Sequence, residues 1–222
     1  ALVGLEGVLV DVEVDVHPGE MGRIDIVGLP DAAIQESRQR VRSAIFNSKL
    51  HFPSRPITIN LAPADLHKEG PAYDLPIAVG ILAGANVLPP VYDGQLFVGE
   101  LSLDGSVRHV NGILSMASVA REQGITRLYV PATDAPEAAL IPGMTVYPVE
   151  SLGQLAMHLT NLAPIAPYVP DPNLLADEEP QVAVDFAEIR GQEHVKRALE
   201  VAAAGGHCVR MTGPTGSGKT LL

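Results

Sequence analysis

Between Pro164 and Pro180 the chain places five prolines, Pro164, Pro167, Pro170, Pro172 and Pro180, around the acidic run Asp177-Glu178-Glu179. Proline fixes its own φ and donates no backbone N–H, so a stretch this dense favours an extended spacer over helix or central strand. The 222 residues therefore divide. The pattern predicts one domain over residues 1–163, a Pro-rich acidic linker over 164–184, and the start of a second domain over 185–222.

The second segment closes on Gly213-Pro214-Thr215-Gly216-Ser217-Gly218-Lys219-Thr220, a G-x-x-x-x-G-K-T pattern followed by Leu221 and Leu222. Glycines at 213, 216 and 218 let successive backbone N–H groups converge on phosphate oxygens at a helix N-terminus. In this pattern Lys219 reaches the β- and γ-phosphates and Thr220 offers its hydroxyl to Mg²⁺, so the cofactors expected are ATP and Mg²⁺. The flanks are expected to be a short buried strand over His207–Thr212 and a helix opening at Thr220. Hydrolysis also needs an acidic Mg²⁺-organising residue and a residue that positions water, and neither is expected in a chain that stops at Leu222. The expectation is an ATP hydrolase for the intact protein and no turnover by these residues alone.

With 46% hydrophobic and 18% charged residues the composition is that of a soluble globular chain. The longest apolar run, Ala78 to Val91, is interrupted by Asn86, Pro89 and Pro90 and falls short of the roughly 20 residues of a membrane span. No basic segment precedes an apolar one at the start, so no signal peptide is expected, and the single cysteine, Cys208, suits a reducing cytoplasm. The net charge of −11 excludes a broadly basic nucleic-acid-binding surface. It leaves open a local basic lining inside a ring.

Valine and carboxylate alternate from Val8 to Val16, the mark of a half-buried strand with a solvated acidic face. A strand near Arg23–Val27 completes an expected opening hairpin, and a helix capped by Asp31 runs to about Asn47. Arg38, Arg40 and Arg42 read as the wet face of that helix, with phosphate contact the alternative. Strands follow at Pro56–Leu61, Leu96–Gly99, Arg127–Val130 and Met144–Val149, with helices at Asp74–Val87, Gly112–Glu122, Asp134–Leu140 and Ser151–Leu159. A further helix is expected over Glu193–Ala203. The class is mixed α/β. The seven histidines show no H-E-x-x-H pattern, and the lone cysteine forms no C-x-x-C pair, so no zinc site is expected. Cys208 reads as a small core hydrophobe in the strand before the phosphate loop.

Leu2-Val3-Gly4-Leu5-Glu6-Gly7, Ile26-Val27-Gly28-Leu29-Pro30-Asp31, Lys68-Glu69-Gly70, Tyr73-Asp74-Leu75-Pro76-Ile77-Ala78, Gly99-Glu100-Leu101-Ser102-Leu103-Asp104-Gly105 and Gly191-Gln192 follow one another over nearly the whole chain. Taken together they resemble the magnesium-chelatase-like AAA+ ATPases of the ComM/YifB type. The resemblance implies a mixed α/β chain in which a Lon protease-like domain precedes the truncated start of a P-loop AAA+ domain. It also implies an ATP-driven DNA motor of the branch-migration type, acting in natural transformation as a hexameric ring in the cytoplasm. By analogy with AAA+ domains, Ile189 to Gln192 approach the adenine.

Lon-type proteases use a serine nucleophile activated by a lysine. Their serine follows Lys-Asp-Gly-Pro, whereas here Lys68-Glu69-Gly70-Pro71 is followed by Ala72. Their lysine falls within Gly-Gly-Leu-Lys, and Asn111-Gly112-Ile113-Leu114 puts Leu114 there. The resemblance thus implies a protease fold without the protease dyad, with neither Ser115 nor Lys68 in register to replace it. A magnesium chelatase-type subunit for metal insertion and an oligomerisation or interaction domain without activity remain alternatives, and a Lon-type protease is disfavoured.

Overall fold

The computed structural model describes residues 2–3, 6–19, 22–90, 93–170 and 185–219 and divides into two compact units, residues 1–170 and 171–222. In the first, strands β1 (Leu2–Val3), β2 (Glu6–Gly7), β3 (Asp11–Val16) and β4 (Ile24–Val27) lead into helix α1 (Ala32–Asn47) and strand β5 (Ile57–Ala62). A 3₁₀ turn at Pro71–Tyr73 opens helix α2 (Asp74–Gly84), followed by β6 (Gln95–Phe97), β7 (Glu100–Leu101), β8 (Val107–Arg108) and α3 (Ile113–Glu122). Strand β9 (Arg127–Pro131), the single turn α4 (Ala135–Ala138), β10 (Thr145–Val149) and α5 (Leu152–Leu159) complete it. The second unit holds a 3₁₀ turn at Phe186–Glu188 and helix α6 (Glu193–Ala204). The fold is mixed α/β, as the alternation of periods predicts.

Strands β1 and β2 pair antiparallel, but β3 and β4 do not form the expected hairpin with each other. β3 pairs antiparallel and β4 parallel with β5, giving the order β3-β5-β4. β5 takes the centre because Ile57, Ile59 and Leu61 bury one complete face beneath α1 and α2. The valines of β3 turn inward and its carboxylates outward, where Asn60 donates to Glu13 at 2.7 Å across the ladder. Helix α2 reaches β3 through glycines: a Cβ on Gly80 would stand 2.5 Å from Val14 Cγ2, and one on Gly84 2.9 Å from Val16 Cγ2.

The second sheet is fully parallel in the order β10-β9-β6. Its register stacks Phe97, Tyr129 and Tyr147 as neighbours, with centroids 4.6 and 4.8 Å apart. His158 on α5 accepts the Ile165 N–H on Nδ1 at 2.9 Å, and its Nε2 bonds the Tyr129 hydroxyl at 3.2 Å. This bond draws residues 164–168 onto the first unit, where Ile165 joins the core and Tyr168 N–H donates to Val146 O at 2.7 Å. The start of the expected linker is therefore part of the domain, because its apolar residues find partners; residues 171–184 lie outside the described residues.

Candidate functional site

Four of the resemblance-carrying stretches, 26–31, 68–70, 73–78 and 99–105, meet in space. Asp31 caps α1 by accepting the Ile34 N–H on Oδ1 at 2.7 Å, and its Oδ2 accepts the Gly70 N–H at 2.9 Å. Lys68 N–H donates to Leu29 O at 3.1 Å and Asp31 N–H to Lys68 O at 3.0 Å, so the Gly28–Asp31 and Lys68–Gly70 turns hold each other. Gly28 has φ +96°, and a Cβ there would lie 2.2 Å from Leu61 O, so only glycine fits. Lys68 is fully buried, and its ammonium is spent on the carbonyls of Gly28 and Pro63.

Asp74, at the start of α2, is fully buried. It accepts Arg40 Nε at 2.7 Å and Nη2 at 3.1 Å, the Leu101 N–H at 3.2 Å, and the Ser37 hydroxyl. The hydrogen bond to Asp74 raises the Arg40 pKa further, against the opposing effect of burial. Arg40 is thus neither the wet face nor a phosphate ligand: its helix face turns to α2, which spacing along α1 alone does not disclose. Arg38 bonds Gln35 O at 2.9 Å, and Arg42 lies 5.4 Å over the Phe52 ring.

These turns border a cleft of about 740 Å³. Ala72 lines it; Leu114 is not among its lining residues and is 39% exposed, its N–H donating to Glu137 at 3.3 Å. Among the described residues lining the cleft there is no serine, threonine, cysteine or lysine. His109 and Asn111 stand at its border. His109 Nδ1 lies 2.5 Å from Asp134 Oδ1, and this bond raises the histidine's pKa, while Asp134 Oδ2 accepts the Val110 N–H at 3.0 Å. The His109–Asp134 pair carries no motif spacing, and only the fold brings it to the cleft. Burial pushes the Tyr73 hydroxyl, in the same wall, up to about 12, with the Asp31 charge adding to it.

In the second unit, Gly216 and Gly218 have φ of +83° and +79° with open space where a Cβ would stand, conformations that glycine alone takes readily. Ser217 Oγ donates to Pro214 O at 2.9 Å, closing the turn through Thr215. The Lys219 ammonium folds back over the loop, donating to Gly213 O at 2.8 Å, Pro214 O at 2.6 Å and Ser217 Oγ at 3.3 Å. Positive-φ glycines and an ammonium over one short loop are the donor set of an anion cradle, and these residues fit a polyphosphate. Thr220, expected to bind Mg²⁺, lies outside the described residues. Among those described, no cluster of histidine, cysteine, aspartate and glutamate is arranged to hold a metal.

Two expectations about the approach to this loop are corrected. Residues 207–214 form no strand, and Cys208 is exposed rather than a core residue. A strand needs a neighbour to satisfy its N–H and C=O groups, and the described residues 185–219 contain none. Helix α6 does form, and Lys196 binds Ile189 O at 2.5 Å, fixing the Ile189–Gln192 turn against it.

Residues 12–134 match the family model described as subunit ChlI of Mg-chelatase, and residues 185–222 match that of magnesium chelatase, subunit ChlI. An uncharacterised protein of Mycobacterium tuberculosis is 42% identical over 223 residues, covering 100% of this chain and 43% of its own length. The competence protein ComM of Haemophilus influenzae is 38% identical over 225 residues, 100% of this chain and 44% of ComM. The uncharacterised protein YifB of Escherichia coli is 38% identical over 229 residues, 100% of this chain and 43% of YifB. The chain thus spans less than half the length of these relatives. At greater distance, Lon protease 2 of Thermus thermophilus is 27% identical over 161 residues, 67% of this chain and 20% of that protease, and the first unit is accordingly Lon protease-like. With a family model matched over more than half its residues, the chain belongs to the magnesium-chelatase-like AAA+ family of the ComM/YifB type.

Proposed function

We propose that this chain works within an ATPase that binds ATP with Mg²⁺ and couples hydrolysis to the movement of DNA through a ring of identical subunits, a hexamer, in the cytoplasm. The observation that carries the nucleotide part is the loop from Gly213 to Lys219, with two glycines at positive φ and an ammonium over the turn. Its amides cradle the phosphates, Lys219 exchanges its carbonyl partners for phosphate oxygens, and Thr220 takes the Mg²⁺. Bound ATP supplies the phosphoanhydride whose cleavage drives the work. DNA as the substrate rests on the family and on the name of ComM, a competence protein.

The test is ATP turnover by the full-length protein with and without branched DNA, alongside Lys219→Ala. Turnover stimulated by DNA and abolished in the variant supports the reading; turnover indifferent to DNA, with no strand displacement, removes the motor. A second reading, a chelatase subunit driving metal insertion into a tetrapyrrole, is favoured by the descriptions of both matching family models. Metal insertion assayed with chelatase partner subunits separates the two.

We assign the first unit no peptidase activity, because Ala72 supplies no hydroxyl and Leu114 no amine. Ala72→Ser alone is expected to yield no casein hydrolysis, since no lysine lines the cleft among its described residues. Hydrolysis by that variant would show that another base serves.

A further inference from the structure

Both larger sheets end at the cleft of the first unit. β3 is the terminal strand of β3-β5-β4 and β6 that of β10-β9-β6, and the cleft is lined by Asp11 and Val12 of the first and by Gln95 and Leu96 of the second. A terminal strand presents backbone N–H and C=O groups to whatever lies beside it, and an extended peptide is the ligand whose own backbone matches that row.

Two wall side chains reinforce this. Tyr73, 8% exposed, keeps its Oη buried without a hydrogen-bond partner among the described residues, and Gln95 Oε1 is buried and unpartnered in the same sense. A hydroxyl and an amide oxygen buried without partners gain them when the wall parts for a ligand that brings both a C=O and an N–H, as a peptide does.

The charge of the lining selects among peptides. Four carboxylates, Asp11, Asp31, Glu69 and Glu100, border the cleft against one ionisable base, His109. Asp31 is engaged in capping α1, whereas Glu69 is exposed beside His67 at 3.7 Å. Such a rim repels phosphate and attracts an ammonium or guanidinium group.

We propose that the cleft binds an extended polypeptide segment carrying lysine or arginine and holds it uncleaved: the segment adds to a sheet edge, Tyr73 and Gln95 bond its backbone, and the acidic rim takes its cations. No serine, threonine, cysteine or lysine stands among the described lining residues to attack the bound peptide. Its lining residues all belong to the first unit, and failure of this proposal leaves the nucleotide reading untouched.

The test uses the 222-residue chain and fluorescence anisotropy of a labelled, N-acetylated peptide alternating valine with arginine. Saturable binding that weakens as salt is raised is expected, with no competition from the matching valine–glutamate peptide. Glu69→Gln with Glu100→Gln is expected to weaken binding about tenfold, equivalent to about 1.4 kcal/mol. Tyr73→Phe weakens it as well, with melting curves showing both variants folded. Methylating alternate backbone nitrogens of the peptide abolishes binding if the segment pairs as a strand. The proposal is overturned if the arginine peptide does not bind, if the glutamate peptide binds equally, or if spermidine displaces the peptide at equal concentration. Indifference to both the methylation and the rim substitutions also overturns it.

Discussion

Asp74 bears a charge with no exposed surface because four donors converge on it, from Ser37, from two nitrogens of Arg40, and from Leu101 N–H. Removing one side of such a pair leaves the other charge buried and unmatched, so Arg40→Ala is expected to cost about 3–5 kcal/mol, read from urea unfolding. A loss within that of surface substitutions, about 0.5 kcal/mol, would show that water replaces the guanidinium. Histidine gives a second reading at this scale. His109 is raised above its ordinary 6.5 by Asp134, so its contribution to stability is complete below 6.5 and fades as the pH rises through the raised value. His158 is lowered by burial, so its contribution is complete above 6.5 and is lost as the pH falls through the lowered value. NMR titration should place the two on opposite sides of 6.5, and Asp134→Asn should return His109 towards it. Titration of both at one pH would remove this account. The resemblance-carrying stretch around Asp74 is visible in the chain, but its partner Arg40 is not, since 34 residues separate them and only the packing of α1 on α2 joins them.

Helix α2 is apolar on nearly every side, with Leu75, Ile77, Ala78, Val79, Ile81 and Leu82 all buried. Its two glycines fall four residues apart and face β3, so the helix backbone approaches the sheet where larger residues would hold it off. Gly80→Leu must push Val14 aside and is expected to destabilise by about 1–3 kcal/mol despite the better helix propensity of leucine. An unchanged melting temperature would mean that the strand yields freely. Most element boundaries could be read from periodicity and caps: Asp31 and Ser151 cap α1 and α5 through their side chains, and Gly124 ends α3 at φ +79°. Partners could not be read in the same way. β3 and β4 are consecutive strands, yet β5 lies between them, because pairing follows which strand buries a complete face.

Both apolar clusters belong to the first unit, one around α1, α2 and β5, the other around α3, β9 and β10. A segment of residues 1–170 is therefore expected to unfold cooperatively on its own, with the melting temperature the first unit has in the whole chain. A molten, dye-binding segment would show that it depends on residues beyond 170. By itself the sequence determined the α/β class, the break in the proline-rich stretch, the phosphate-loop pattern and the alanine at residue 72, because each is a local matter of periodicity, backbone freedom or side-chain identity. The tertiary structure alone decided the order β3-β5-β4, the pairing of Arg40 with Asp74 and the meeting of His109 with Asp134 at the cleft. It also left Cys208 exposed where periodicity suggested a buried strand. The physical reason is common to all four: pairing and burial depend on which distant surface arrives beside a residue, and local periodicity carries no record of that.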